Sequence, residues 1–159
     1  MADTPDGALL PDDDYPTCAR TYATLRIYPG DVDPAAIISL LGIEPSGWQR
    51  RGEVPERPSR LLREVAPING WFLESEGQVD SRDSRRHINW LLDRLEPKAE
   101  TIRSLQEMGC RMDISCYWLS RNGHGGPSIP PTQMRRLAEL GIELWFDFYG
   151  PYEEEDASH

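Results

Sequence analysis

The chain has 159 residues, with 17 basic against 27 acidic side chains and a net charge of −10. That length fits one domain with tails, and an acidic chain is a poor match for nucleic acid, whose phosphates need Lys and Arg. No apolar run approaches the roughly 18 residues of a membrane helix, and no basic, then apolar leader opens the chain, so neither a membrane span nor a signal peptide is expected.

The charge sits at the ends. Residues 1–14 hold five Asp and no Lys or Arg, and Glu153, Glu154, Glu155 and Asp156 close the chain. Without these nine the remainder is near neutral, at −1. Residues 1–18 are therefore expected to be a disordered acidic tail, residues 19–150 a single globular domain, and residues 151–159 a second acidic tail.

Tyr22 to Tyr28 alternates, with Ala23, Leu25 and Ile27 on one side and Tyr22, Thr24, Arg26 and Tyr28 on the other. This predicts a half-buried strand ended by Pro29-Gly30. Asp33-Pro34 opens a helix through Ile37, Ile38, Leu40 and Leu41, and Gly42 stops it. Residues 43–69 carry four Pro and five Arg with weak periodicity. They read as a long loop with a short strand near Trp48. Gly70 to Ser75 is the next strand. Ile88, Leu91, Leu92 and Leu95 then recur at helical spacing. Pro97 predicts a kink or restart, because a proline there removes a hydrogen bond and clashes with the preceding turn. Ala99, Ile102, Leu105 and Met108 continue an apolar face up to Gly109. In the next strand Met112, Ile114, Cys116 and Trp118 point one way, and Asp113, Ser115 and Tyr117 the other. A glycine loop around His124 follows. A helix from Pro130-Pro131 carries Met134, Leu137, Ala138 and Leu140 to Gly141. The last strand sets Ile142, Leu144, Phe146 and Phe148 against Glu143, Trp145, Asp147 and Tyr149.

The order is roughly β-α-β-α-β-α-β. It predicts an α+β fold: a single mixed or antiparallel sheet of four to five strands with helices packed mainly on one face. This is a two-layer sandwich related to ferredoxin-like folds.

Several segments resemble one known family. They are Leu25-Arg26-Ile27-Tyr28, Leu41-Gly42-Ile43-Glu44-Pro45, Gly70-Trp71-Phe72-Leu73-Glu74-Ser75 and Trp90-Leu91-Leu92-Asp93-Arg94-Leu95-Glu96-Pro97. Asp113-Ile114-Ser115-Cys116, Gly123-His124-Gly125-Gly126-Pro127 and Leu140-Gly141-Ile142-Glu143-Leu144 complete the set. Together they resemble the bacterial domain of unknown function 4279 family over about residues 20–150. One departure is Pro130, where a Ser or Thr cap is expected. The resemblance implies a small intracellular bacterial domain and carries no catalytic residues.

The candidate binding residues are Trp48, Arg51, Trp118, Ser120, His124, Gly125 and Trp145. His124 between glycines suggests backbone N–H groups converging on an anion beside a proton donor or acceptor. The plainer reading is a tight loop whose histidine bonds a carbonyl. Arg51 beside Trp48 suggests a clamp for a carboxylate or phosphate, against a surface loop of paired arginines. Trp145 shares a face with Glu143, Asp147 and Tyr149, and with Arg26, Tyr28, Asp113, Ser115 and Tyr117 if the strands pair. That face suits a ligand or partner, or is simply solvated with Arg26 paired to Asp113 or Asp147. His87 reads as a surface histidine. Cys18, Cys110 and Cys116 are odd in number and form no C-x-x-C pair, which predicts reduced thiols in a cytoplasmic protein. No zinc-ligand spacing occurs, so no metal and no cofactor are expected.

Two functional readings follow. The first is a non-catalytic module binding a basic protein partner, an immunity protein that blocks a secreted toxin being one concrete version. The second is a small anionic ligand, with weak enzymatic chemistry, held between the Gly123–Gly126 loop and Trp48–Arg51. There His124 would be the base and Asp113 or Glu74 its partner. A third, plainer reading is a domain that works only as a homodimer, through the polar-aromatic face or a sheet edge, so a monomer or a homodimer is expected.

Overall fold

Alternating β-branched, aromatic and polar residues build the sheet. The computed structural model describes residues 10–55 and 65–151. Its strands are β1 (Cys18–Tyr28), β2 (Gly47–Gln49), β3 (Gly70–Glu74), β4 (Arg111–Ser120) and β5 (Glu143–Tyr149). They form one open five-stranded sheet in the order β2-β3-β1-β4-β5. β1 lies antiparallel to both β3 and β4, whereas β5 runs parallel to β4. A parallel neighbour requires a crossover, and the helix between β4 and β5 supplies it.

The helices are α1 (Pro34–Leu41), α2 (Ser84–Leu95), α3 (Ala99–Glu107) and α4 (Pro131–Leu140). Asp33 caps α1 by accepting the Ala35 N–H at 2.9 Å, and Gly42 ends it in the left-handed region at φ 65°. Pro97 falls in a 3₁₀ turn over Glu96–Lys98, so the apolar stripe splits into α2 and α3. α4 starts at Pro130 without a side-chain cap.

All four helices contribute to one core against one face of the sheet. Ala23, Leu25, Ile27, Trp71, Leu73 and Ile114 meet Ile37, Leu41, Ile88, Leu91, Leu92, Leu95, Ile102, Leu105, Leu137 and Leu140 there. The expected α+β class and one-sided helix layer stand, with the sheet mixed.

Two expectations are corrected. Residues 10–18 are not tail. β1 starts at Cys18, and the preceding arm docks on α2: the Asp12 N–H donates to Asp83 Oδ2 at 2.7 Å, and the Arg86 Nε to Asp13 Oδ1 at 3.2 Å. Tyr15 donates its hydroxyl to the Gly126 carbonyl at 2.6 Å. A run of aspartates looks like a solvated tail by composition, but here Asp13 and Asp14 face arginines of α2 and the turn before it. Residues 1–9, 56–64 and 152–159, with Arg57, Arg60 and Arg63, lie outside the described residues.

His87 is the second correction, being 1% exposed rather than on the surface. It stands one turn into α2, on the stripe that also buries Ile88 and Leu91.

Candidate binding face and the loop at the other end

Strand alternation sends half of the side chains away from the helices, and the register aligns them in rows. Glu74, Thr24, Ser115 and Trp145 form one row, and Phe72, Arg26, Asp113 and Glu143 the next. Tyr22, Tyr117 and Asp147 form a third. Among the described residues no helix packs on this side, and the side chains of the face are half-buried to exposed, with Trp145 at 37%.

The side chains are bound to one another. Arg26 donates Nε and Nη2 to the two Asp113 oxygens, both at 2.7 Å, a fork-to-fork pair. That hydrogen bonding raises the Arg26 guanidinium above its ordinary value. The same group lies 5.1 Å from the Trp145 ring and 5.8 Å from Tyr28, and Tyr28 meets Phe72 edge-on at 6.0 Å. A second cluster stacks Tyr22 on Tyr117 at 4.9 Å and Tyr117 on Tyr149 at 5.1 Å. Arg20 sits over Tyr22 and Tyr117 and pairs with Glu76. The neighbouring Asp147 carboxylate raises the Tyr149 hydroxyl. Gly70 has a local reason: a Cβ there would stand 2.6 Å from Cζ of Phe72, whose ring lies across it.

Beside the Tyr28–Phe72 end the sheet drops into a groove of about 1400 Å³. It is lined by Ile43–Gln49 and Val65–Ile68 together with Arg26, Tyr28 and Phe72 of the open face. Trp48 lines it, with Arg50 stacked at 4.8 Å and held by Asp33 at 3.1 Å.

The candidate residues do not converge. Trp145 is on the open face and Trp48 at the groove. Arg51 is exposed and pairs with Asp31 at 3.2 Å, while its N–H donates to Asn69. Trp118 and Ser120 are 2% and 7% exposed, so neither presents a surface to a ligand. Ser120 instead pins the loop, donating to the His124 carbonyl and accepting the Gly123 N–H, each at 2.9 Å.

His124 is exposed and lines neither the groove nor the smaller cavity beside Arg20, Ser81 and His87. Gly125, at φ 83°, is pressed so closely on Thr17 that an added Cβ would lie 2.5 Å from its Cβ. This loop follows Ser120, whereas the Trp48 row crosses β4 at Met112. The separation is eight residues of strand, roughly 27 Å. His124 and Arg51 share no cavity among the described residues, and Asp113 belongs to Arg26 rather than to His124.

Sequence reasoning missed two groups. Tyr22 and Phe72 belong to the open face, and the phase of β1 and β3 carried that signal. The other is a buried polar cluster at the start of α2. Asp83 caps the helix, accepts Arg85 Nη2 at 2.7 Å and is 0% exposed. The Ala23 N–H donates to Ser75 Oγ at 2.9 Å; because His87 Nε2 faces a carbonyl, which only accepts, the neutral ring leaves Nδ1 to accept the Ser75 hydroxyl at 2.7 Å. His87 Nε2–H then donates to the Ser81 carbonyl at 2.8 Å. Burial pulls the imidazole below its ordinary pKa and keeps it neutral. A serine beside a histidine suggests nucleophilic catalysis, but Ser75 is 0% exposed and both ring nitrogens are occupied. The pair is structural.

The thiols are equally closed to chemistry. Burial pushes Cys18 up to about 11 and Cys116 up to about 12. Among the described residues no group of three or more His, Cys, Asp or Glu could hold a metal ion.

A family model described as a domain of unknown function, DUF4279, matches residues 19–151. The chain belongs to that family. The match covers the sheet, apart from Cys18 at the start of β1, and all four helices. No curated protein and no solved structure matches the chain. Among the described residues no helix is long and apolar enough to cross a membrane.

Proposed function

We propose that this chain is a non-catalytic binding module, acting in the bacterial cytoplasm, that recognises a basic protein through the uncovered face of its sheet. One observation carries the reading. Among the described residues, six aromatic rings, three arginines and several carboxylates are assembled on a sheet face that no helix covers. Aromatic side chains offer large contact area at low entropic cost and dominate interface energies. Arg26 and Arg20 are already engaged by Asp113 and Glu76, and Arg111 stands opposite Tyr28, while Glu143 and Asp147 add negative charge at the Trp145 end. A partner presenting Lys or Arg finds carboxylates beside ring faces. A toxin neutralised by this chain is one such partner.

The test is capture from the native host at low salt, with Trp145→Ala and Tyr28→Ala beside the parent and His124→Ala as a control. The expected result is a stoichiometric basic protein, released by salt, lost with the first two variants and kept by the third. Capture of no protein by the parent, or equal retention by Trp145→Ala and Tyr28→Ala, overturns the reading.

A further inference from the structure

Among the described residues β5 is the outer strand of the sheet, hydrogen-bonded to β4 on one side only. The opposite edge, β2, is three residues long, whereas β5 has seven in unbroken register with β4. Native proteins blunt long edges with proline, lysine or a bulge, because bare N–H and C=O groups template pairing with another chain. The segment Glu143-Leu144-Trp145-Phe146-Asp147-Phe148-Tyr149 has none of these, its only charges being Glu143 and Asp147 on the open face. Its helix-side phase is also under-covered. Leu144 packs on the core, but Phe146 is half-buried and Phe148 is 58% exposed, the two rings stacked at 5.4 Å.

We propose that two copies of this chain pair β5 with β5, antiparallel about a two-fold axis at Phe146, into one continuous sheet. Self-complementarity selects this occupant and this register. A two-fold perpendicular to the sheet keeps each residue on its own face, so the axis passes through a residue. With the axis at Trp145, Glu143 faces Asp147 of the second copy. With the axis at Asp147, that carboxylate faces itself. Like charges directly opposite are destabilising. With the axis at Phe146, Glu143 faces Tyr149, Trp145 faces Asp147, Leu144 faces Phe148 and Phe146 faces Phe146. No carboxylate opposes another, the exposed Phe148 is covered by Leu144 of the second copy, and the two Phe146 rings meet at the axis. Axes farther along the strand pair fewer residues. The inference does not rest on the partner reading, although Trp145, Glu143 and Asp147 belong to both surfaces, because it is argued from the β5 edge and its register alone.

Salt separates the two ideas. Each copy carries −10, so screening weakens the repulsion between copies and strengthens the dimer, whereas it weakens attraction to a basic partner. Molar mass in solution is measured across protein concentration and salt for the parent and for Phe148→Lys, a change at an exposed position. The register is read by mixing Glu143→Cys with Tyr149→Cys under mild oxidation. Directly opposite residues lie about 4.5–5.5 Å apart, within disulfide reach. The native cysteines are buried and contribute little background. The expected results are a two-chain mass at high concentration that rises with salt, a one-chain mass for Phe148→Lys, and cross-linking in the mixture but in neither variant alone. A one-chain parent at every concentration, a two-chain Phe148→Lys, or equal cross-linking of either variant alone overturns the proposal.

Discussion

Asp83→Asn tests the cluster that anchors both α2 and the N-terminal arm. The carboxylate is 0% exposed and accepts the Arg85 N–H and Nε on Oδ1 at 3.0 Å each, and Arg85 Nη2 and the Asp12 N–H on Oδ2 at 2.7 Å each. The amide keeps the shape but puts an NH₂ group against donors and removes the countercharge of a guanidinium that is only 9% exposed. Breaking a buried pair at one partner costs about 3–5 kcal/mol, and loss of the cap is part of that. For a chain of this size the melting temperature then falls by about 6–20 °C. Arg85→Met in the Asp83→Asn background removes the stranded charge and leaves only cap and arm contacts missing. The double variant is therefore expected to recover all but about 1–2 kcal/mol. Urea unfolding followed by tryptophan fluorescence and far-ultraviolet dichroism, with constant m-value, measures each form. A loss under about 1 kcal/mol for Asp83→Asn, or a double variant no better than the single, refutes the assignment.

Burial keeps His87 neutral and its folded pKa below the unfolded value of about 6.5. The unfolded chain therefore takes up the proton first, so this contribution is full above about pH 6.5 and drains as pH falls toward the folded value. His87→Gln should flatten the fall of the urea midpoint between neutral and mildly acid pH; an unchanged slope assigns the fall to other groups. Gly125→Ala meets both a φ of 83° and the Thr17 Cβ, and is expected to destabilise by about 1–3 kcal/mol. Adding Thr17→Ala, which keeps that Cβ, should not rescue it. Arg26→Met removes a bidentate pair whose side chains are about a quarter exposed, and is expected to cost only about 1 kcal/mol. It should nevertheless weaken partner capture, because Trp145 loses the cation that positions its ring. A capture strength equal to the parent's rules out that positioning.

Periodicity carried the local elements because each signal sits within a few residues. Asp33-Pro34 and Gly42 bound α1, Pro97 separates α2 from α3, and the alternation of β1 and β4 assigned their core side chains. Those are properties of neighbouring residues, decided by backbone geometry and by one buried face. Strand order is different. That β1 lies between β3 and β4, with β5 parallel at the edge, follows from how four helices share one core, and no local pattern encodes it. The same holds for the sites. The open-face aromatics were in phase within each strand, but only the register brought Arg26 onto Trp145 and Tyr22 onto Tyr117. His124 and Arg51 looked alike as loop residues, yet the sheet holds them at opposite ends. His87 looked like a surface group because its neighbours are arginines, and burial came from Ser75 of the strand segment packed against α2. The acidic arm was charge without partners until folding set it beside Arg82 and Arg86. Local chemistry thus determined which faces are apolar. Long-range packing alone decided which polar groups meet, because those meetings join residues many positions apart in the chain.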